Sequence, residues 1–367
     1  MLTGVPTYPD RMARVTLQTV ADRVGVSRMT VSNAFSRPDQ LSDDLRRKIL
    51  EAARELGYVG PDPAARALAR GTTGVVGVLL TASLQDAFTD DVSIGFLGAV
   101  TGELAPTGRA LLLISTHARG DVVPARDAAM DGAVVYACDP DTSAVDWLFR
   151  RGLPLVTVDQ PAVPGVPSVN IDDRDGGRQA ASHLLELGHR RVGVVAFGNG
   201  PEGLAAEPDV EAIAGRFIAR ERLAGCLDVL GPAGIRPVLH TQRRNDEEDA
   251  RRAGIALLTG GSPEARPTAI LCQSDVLAVG VLHAAEELGL RVPDDLSVVG
   301  YDDSPLARRV RPALTTVRQD VDAKGKAAAD ALLEVLGRRG TDTSDGAARL
   351  LLPAELVVRD STAPPPA

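Results

Sequence analysis

The chain is poor in cysteine, in aromatic residues and in long apolar runs, and each shortage removes a class of function. Cys138, Cys226 and Cys272 are odd in number, far apart and set in apolar surroundings. That excludes a disulfide framework and a thiolate metal site and predicts buried, reduced thiols. The five histidines are scattered, none at ligand spacing from another or from a cysteine, so no metal is expected. There is no nucleophile elbow, and no arrangement suggests catalysis or a bound cofactor. No apolar segment reaches the roughly 18 residues a membrane span needs, and the N-terminal stretch lacks the apolar centre of a signal peptide. A cytoplasmic protein without membrane contact is expected. Aromatic residues make up 3% of the chain, which leaves few rings to stack on a sugar.

Charge is divided along the chain. Residues 1 to 71 carry a net +3 and the remainder −12, which together give the −9 of all 367 residues. The acidic body cannot attract nucleic acid, so only the first segment can. Because that segment is only mildly basic, its affinity must come from pairing with a second copy and from specific contacts. The length exceeds one ordinary core and implies two or three domains.

Val15 to Leu68 holds the most informative pattern. Thr16 stands where an N-cap belongs, and Leu17, Val20, Ala21 and Val24 follow at helical spacing. Gly25 stops that helix, since glycine takes positive φ without a Cβ clash. Ser27 then caps a second helix in which Val31, Ala34 and Phe35 turn inward while Arg28, Met29 and Asn33 project outward. A third helix runs from the cap Ser42 through Leu45, Ile49, Ala52, Ala53 and Leu56 to Gly57. Short hydroxyls at Thr30 and Ser32 suit phosphate oxygens, and the longer side chains at the start of the second helix can reach base edges.

From Gly74 onward, short apolar runs alternate with helical segments. Val75 to Leu80, Ala110 to Ile114, Ala133 to Tyr136, Leu155 to Val158, Val192 to Phe197, Ala269 to Cys272 and Ser297 to Val299 read as buried strands. Arg178 to Leu187 and Val276 to Leu288 read as helices. The alternation predicts an α/β fold with two parallel sheets, each covered on both faces. Ligands in such sheets sit at the carboxyl ends of the strands. Those ends carry Asp159, Ser274, Asp275, Asp302 and Asp303, with Arg222 able to face them, and Asp275 reads as a helix N-cap. Acceptor carboxylates with one forked guanidinium fit a small ligand rich in hydroxyls or amides.

Gly198-Asn199-Gly200-Pro201-Glu202-Gly203 spells G-x-G-x-x-G after a predicted strand. A dinucleotide site also needs a helix that starts within the motif and an acidic residue about 20 positions on. Pro201 and the acidic Glu202, Glu207, Asp209 and Glu211 oppose an approaching pyrophosphate, so a loop over the ligand cleft is the better reading. The alternatives are a nucleotide-dependent enzyme, which rests on this motif alone, and a solute-binding protein. The latter would share a two-lobed body but would need a signal peptide and no helix-turn-helix.

Val15-Thr16-Leu17, Ala21, Gly25-Val26-Ser27, Thr30-Val31-Ser32, Glu55-Leu56-Gly57-Tyr58 and Ala65-Arg66-Ala67-Leu68 resemble the headpiece and hinge of the lactose/galactose-repressor (LacI/GalR) family. His183-Leu184, Leu187-Gly188-His189, Arg222-Leu223-Ala224-Gly225, Val292-Pro293, Leu296 to Asp303 and Leu314 to Gln319 resemble its effector domain. The resemblance implies a helix-turn-helix headpiece over 15–60, a hinge helix and linker over 61–73, and a two-lobed periplasmic-binding-protein-like effector domain over 74–361. The N-subdomain would comprise 74–171 and 319–345, and the C-subdomain 172–318 and 346–361.

It further implies a ligand-responsive repressor that binds a pseudo-palindromic operator as a homodimer. Base reading falls to Arg28, Met29 and Asn33, and DNA-backbone contacts to Thr16, Ser27, Thr30, Ser32 and Ser42. The hinge helix Pro63 to Leu68, with Ala65, would fold on the operator and wedge Leu68 into a minor-groove step. The positions facing the effector, a sugar or related polar metabolite, would be Phe88, Asp159, Arg222, Ser274, Asp302 and Gln319. The chain departs from the family in several places. Gly60-Pro61-Asp62-Pro63 holds an extra residue before the hinge, Asn33 stands where arginine is common and Met29 where a polar reader is common, and residues 198–216 form a longer segment. No leucine heptad follows the last domain, so a dimer rather than a tetramer is expected.

Overall fold

The structure, a computed structural model, describes residues 15–366 except 61, 81–83, 117–120, 138–142, 199, 206–209, 214–215 and 338–346. Cys138, Pro61, Asn199, Glu207, Asp209 and the expected subdomain boundary at 345 lie outside the described residues. The chain divides into two units between Thr73 and Gly74.

In the first unit, Thr16 and Thr19 form a reciprocal capping box at the start of α1 (Leu17–Val24), and Gly25 closes that helix at φ 75°, ψ 36°. Ser27 caps α2 (Arg28–Ser36) and Ser42 caps α3 (Asp43–Glu55), each accepting from the backbone N–H three residues on. The three helices bury Val20, Ala21, Val31, Ala34, Ile49, Ala52 and Ala53 together. Phe35 meets Tyr58 edge-on at 5.7 Å. A short fourth helix, α4 (Pro63–Arg70), follows.

The second unit contains two sheets. The chain first forms β1 (Val75–Leu80), α5 (Asp91–Leu104), β2 (Ala110–Ser115), α6 (Pro124–Asp127), β3 (Gly132–Tyr136), α7 (Ser143–Arg150), β4 (Leu155–Val158) and β5 (Ser168–Ile171). It then crosses through α8 (Asp173–Glu186) to β6 (Val192–Phe197), β7 (Gly203–Ala205), α9 (Phe217–Leu230), β8 (Val238–Gln242), α10 (Glu247–Thr259), β9 (Ala269–Cys272), α11 (Asp275–Glu287), β10 (Ser297–Asp302), α12 (Pro305–Arg309) and β11 (Thr315–Gln319). Last come α13 (Val321–Gly337), β12 (Arg349–Leu352) and β13 (Ala354–Val357).

The first sheet has the order β12-β5-β4-β3-β1-β2 and is parallel throughout. The second has the order β13-β11-β10-β9-β6-β8-β7, with only the edge strands β13 and β7 antiparallel. Four apolar clusters fill the two faces of each sheet, one of them between the first sheet and the helices α5 and α13. Every residue of β3 and β6 is buried, which is why these strands read as unbroken apolar runs rather than alternating ones.

The sequence places the last crossing between lobes at residue 346, but β12 pairs with β5 in the first sheet, so the crossing falls at Pro353. The segment Arg349 to Leu352 reads apolar in either lobe, and pairing decides its membership. Cys226 and Cys272 are buried free thiols, and burial holds Cys226 up to about 12.

Candidate functional site

Two sites take shape, one in each unit. In the first, Val31 and Ala34 anchor α2 in the core, which turns Arg28 and Met29 outward; Met29 is 70% exposed. Ser27 Oγ accepts from Thr30 N at 3.0 Å and lies 2.8 Å from Thr30 Oγ1. Asn33 is half-buried, and its Nδ2 donates to Gln40 Oε1 at 3.1 Å, so this side chain is already engaged. Ser32 is half-buried, and its carbonyl accepts from Ser36 Oγ at 2.8 Å.

Local chemistry marks both ends of the helix α4. Asp62 Oδ1 accepts from Ala64 N at 2.8 Å and Ala65 N at 3.4 Å, Pro63 occupies the first turn, and Gly71 closes the helix at φ 70°. Ala65 is exposed and Leu68 is 87% exposed. None of the described side chains of this eight-residue helix is buried, so it is of marginal stability in water, and its one large apolar side chain is left exposed.

The second site is a cavity of about 400 Å³ in the body of the protein. Asp159, just after β4, Arg222 of α9, Ser274 at the start of α11, Asp302 at the end of β10 and Gln319 at the end of β11 all line it. Phe88 does not. Its neighbours Ala87 and Thr89 line the cavity, while its own ring is 62% exposed. Ala87 is the buried residue of that short turn, and burying it aims the next side chain away. Among the described residues four non-glycines have positive φ, and three of them, Ala137, Asp159 and Asp302, line this cavity. Left-handed backbone at such residues is held by the surrounding fold and clusters at functional sites.

Arg222 reaches the cavity because α8 and α9 cross with almost no gap. A Cβ on Gly177 would lie 2.3 Å from the Arg222 carbonyl oxygen, and one on Gly225 2.0 Å from that of Arg174, so only glycine permits the approach. The guanidinium donates through Nε to Asp173 Oδ1 at 2.8 Å and through Nη1 to the Gln273 carbonyl at 2.5 Å and to Asp302 Oδ1 at 3.4 Å. Burial works against the charge of Arg222, yet Asp173 and Asp302 outweigh it and hold the group above its ordinary pKa. Burial raises Asp173, with Arg222 opposing, and lifts Asp302 to about 8.

The expected N-cap of α11 moves by one residue. Ser274 caps the helix, accepting from Leu277 N at 3.1 Å and donating to Asn245 Oδ1 at 2.5 Å. Asp275 is instead buried below the site, where it accepts from Thr316 Oγ1 at 2.6 Å and Ser304 N at 2.7 Å. Burial raises it to about 6. Asp303 does not reach the cavity. Arg308, Arg318 and Arg359 bind it, and their hydrogen bonds overcome burial to hold it below the usual carboxylate value.

Comparison with known proteins agrees with this arrangement. Residues 16–60 match the profile of bacterial regulatory proteins of the lacI family, and residues 181–362 match a periplasmic binding protein-like domain. An HTH-type transcriptional regulator of Mycolicibacterium smegmatis is 35% identical over 375 residues, covering 99% of this chain and all of that protein. The chain belongs to the LacI family of bacterial regulatory proteins. Among solved structures, the lac repressor dimer bound to operator and the anti-inducer ONPF aligns with a TM-score of 0.75 at 26% identity, covering 95% of this chain and 99% of that one. The complex of the transcriptional regulator CelR with cellobiose aligns with a TM-score of 0.67 at 28% identity, covering 95% and 100%.

This LacI-family chain is therefore a ligand-responsive HTH-type transcriptional regulator. Its G-x-G-x-x-G stretch leads into β7, a strand antiparallel to β8, rather than into a helix, so the helix N-terminus that a pyrophosphate needs is missing from the motif. No helix among the described residues is long and apolar enough to cross a membrane. Sequence reasoning missed Lys324, which is wholly buried against Asp159 and Gln319. A lysine in the run Val321-Asp322-Ala323-Lys324 reads as solvated, and no local signal marks it otherwise.

Proposed function

We propose that the chain is a homodimeric, cytoplasmic repressor whose hold on a pseudo-palindromic operator is set by a small uncharged polyol or related metabolite in the 400 Å³ cavity. The observation that carries this reading is the convergence of Asp159, Arg222, Ser274, Asp302 and Gln319 on one cavity, three of them at carboxyl ends of parallel strands. A volume near 400 Å³ falls in the range of ligand pockets, about 300–1,000 Å³. The aligned structure of CelR with cellobiose supports a sugar-like ligand, as the lac repressor dimer on its operator supports pairing on DNA.

Mechanistically, a ligand that bridges the lobes binds one lobe spacing better than another and biases the equilibrium by that difference in affinity. The output is whether two copies of α4 can pair on DNA, an order–disorder step of a marginal helix. Arg28 and Met29 read bases, with Asn33 free to do so after releasing Gln40, and Thr16, Ser27, Thr30, Ser32 and Ser42 position the backbone. The chain acts as a switch and not as an enzyme.

A thermal-shift panel of sugars, nucleosides, NAD and ATP, followed by operator binding with each stabilising compound, tests this. Stabilisation by a neutral polyol that also changes DNA affinity is the expected result. Stabilisation by NAD or ATP alone overturns the reading.

A further inference from the structure

The hydrogen bonds around the cavity run through one group that does not line it. Lys324, in the first turn of α13, has no exposed surface, and its ammonium donates to Asp159 Oδ2 at 2.6 Å and to Gln319 Oε1 at 2.7 Å. Asp159 follows β4 of the first sheet, and Gln319 ends β11 of the second. One cation thus ties together strand ends from both lobes.

An ammonium carries donors only. It therefore decides which end of the Gln319 amide is oxygen: Oε1 must face Lys324, and Nε2 is left to donate to Asp302 Oδ1 at 2.6 Å. Arg222 Nη1 approaches the same Asp302 oxygen at 3.4 Å. Protein donors thus occupy Asp302 Oδ1 and Asp159 Oδ2. Asp159 Oδ1 differs: it is buried, it has no protein hydrogen-bond partner among the described residues, and its residue is 6% exposed and lines the cavity. A buried acceptor left without a donor is unfavourable, and a ligand hydroxyl or N–H placed there relieves it.

We propose that Lys324 is the positioning residue that sets ligand selectivity in the cavity: by turning Asp159 Oδ2 and Gln319 Oε1 toward itself, it leaves Asp159 Oδ1 as a fixed acceptor that demands a hydroxyl or N–H donor at one point of the ligand. The inference rests on the cavity being the effector site. Without Lys324, the Gln319 amide can turn over and Asp159 can present either oxygen, so the demand at that point is lost.

Calorimetric titration of the full chain with ribose, cellobiose and glucose, each beside its single-deoxy analogues, tests the proposal. In the unaltered protein, one deoxy analogue of a sugar that binds should lose about 100-fold or more, as sites with a buried polar group reject ligands lacking its partner. In Lys324→Met, that penalty should fall below about tenfold on the same reasoning. Because Lys324→Met leaves Asp159 buried beside no cation, Lys324→Gln, whose amide can still donate to Asp159 but can also accept from Gln319, serves where the first variant does not fold, and it too should lose the discrimination. If either variant weakens parent sugar and analogue by the same factor, Lys324 is only structural and the inference fails. If neither these sugars nor any other polyol of the thermal-shift panel binds the unaltered protein, the effector reading fails, and this inference with it.

Discussion

The Arg222 guanidinium lies 3.6 Å from the centroid of the Tyr301 ring. The same guanidinium holds the almost wholly buried Asp173, so it is a cation held between an aromatic face and carboxylates at the wall of the cavity. Removing one partner of a buried pair costs about 3–5 kcal/mol because the other charge is left behind. Arg222→Met should therefore lower the unfolding temperature of the effector domain markedly. Arg222→Lys keeps the charge but not the planar fork. It should stay folded and bind operator yet fail to respond to an effector, read as operator affinity with and without the stabilising compound.

Arg28 sits at the exposed start of α2. With operator selected from random DNA, Arg28→Ala should cost about 1–3 kcal/mol on the selected site and relax preference at one base position. Fluorescence anisotropy on selected and scrambled duplexes measures this. Equal losses on both would show a phosphate contact instead.

Asp62 and Leu68 control α4 in different ways. Asp62→Ala removes the cap on Ala64 N and Ala65 N and should weaken the helix by about 1 kcal/mol, and specific operator binding with it. Leu68→Ala leaves the helix formed but removes its exposed apolar side chain, so DNA bending should fall while the oligomeric state is unchanged. Bending by fluorescence transfer across the operator, with light scattering for mass, separates the two. Undiminished bending in Leu68→Ala would exclude the wedge.

Asp302 predicts a pH dependence of stability. Burial, opposed by Arg222 and reinforced by Asp275 and Asp90, raises it from 3.8 to about 8. Between these values the folded chain holds a proton that the unfolded chain has released. Its contribution to stability is then complete below the unfolded value and is lost as pH rises toward the folded one. The difference in unfolding temperature between the wild type and Asp302→Asn should accordingly change steadily between about pH 4 and pH 8. A difference that stays constant with pH would exclude the protonated form.

The headpiece was legible in the sequence almost residue by residue. Thr16, Gly25, Ser27 and Ser42 take the cap and turn positions their chemistry suggests, because capping is settled within about four residues of chain. Seven strands were visible as apolar runs, but β5, β7, β8, β11, β12 and β13 were not. β7 and β12 are exposed edge strands and β8 is polar in part, so none carries a clean pattern. Of the six expected cavity positions, five line the cavity and Phe88 does not. Its loop carries no periodicity from which direction could be read.

What the sequence determined by itself is therefore what local chemistry and periodicity control: the capped helices, the buried parallel strands, the acidic body beside a basic start and the carboxylates at strand ends. Tertiary structure alone decided the rest. It placed β12 in the first lobe, turned Asp303 away to three arginines, and brought Lys324 to Asp159 across 165 positions of chain. Pairing between distant segments and the burial of a charge depend on neighbours that no local pattern encodes.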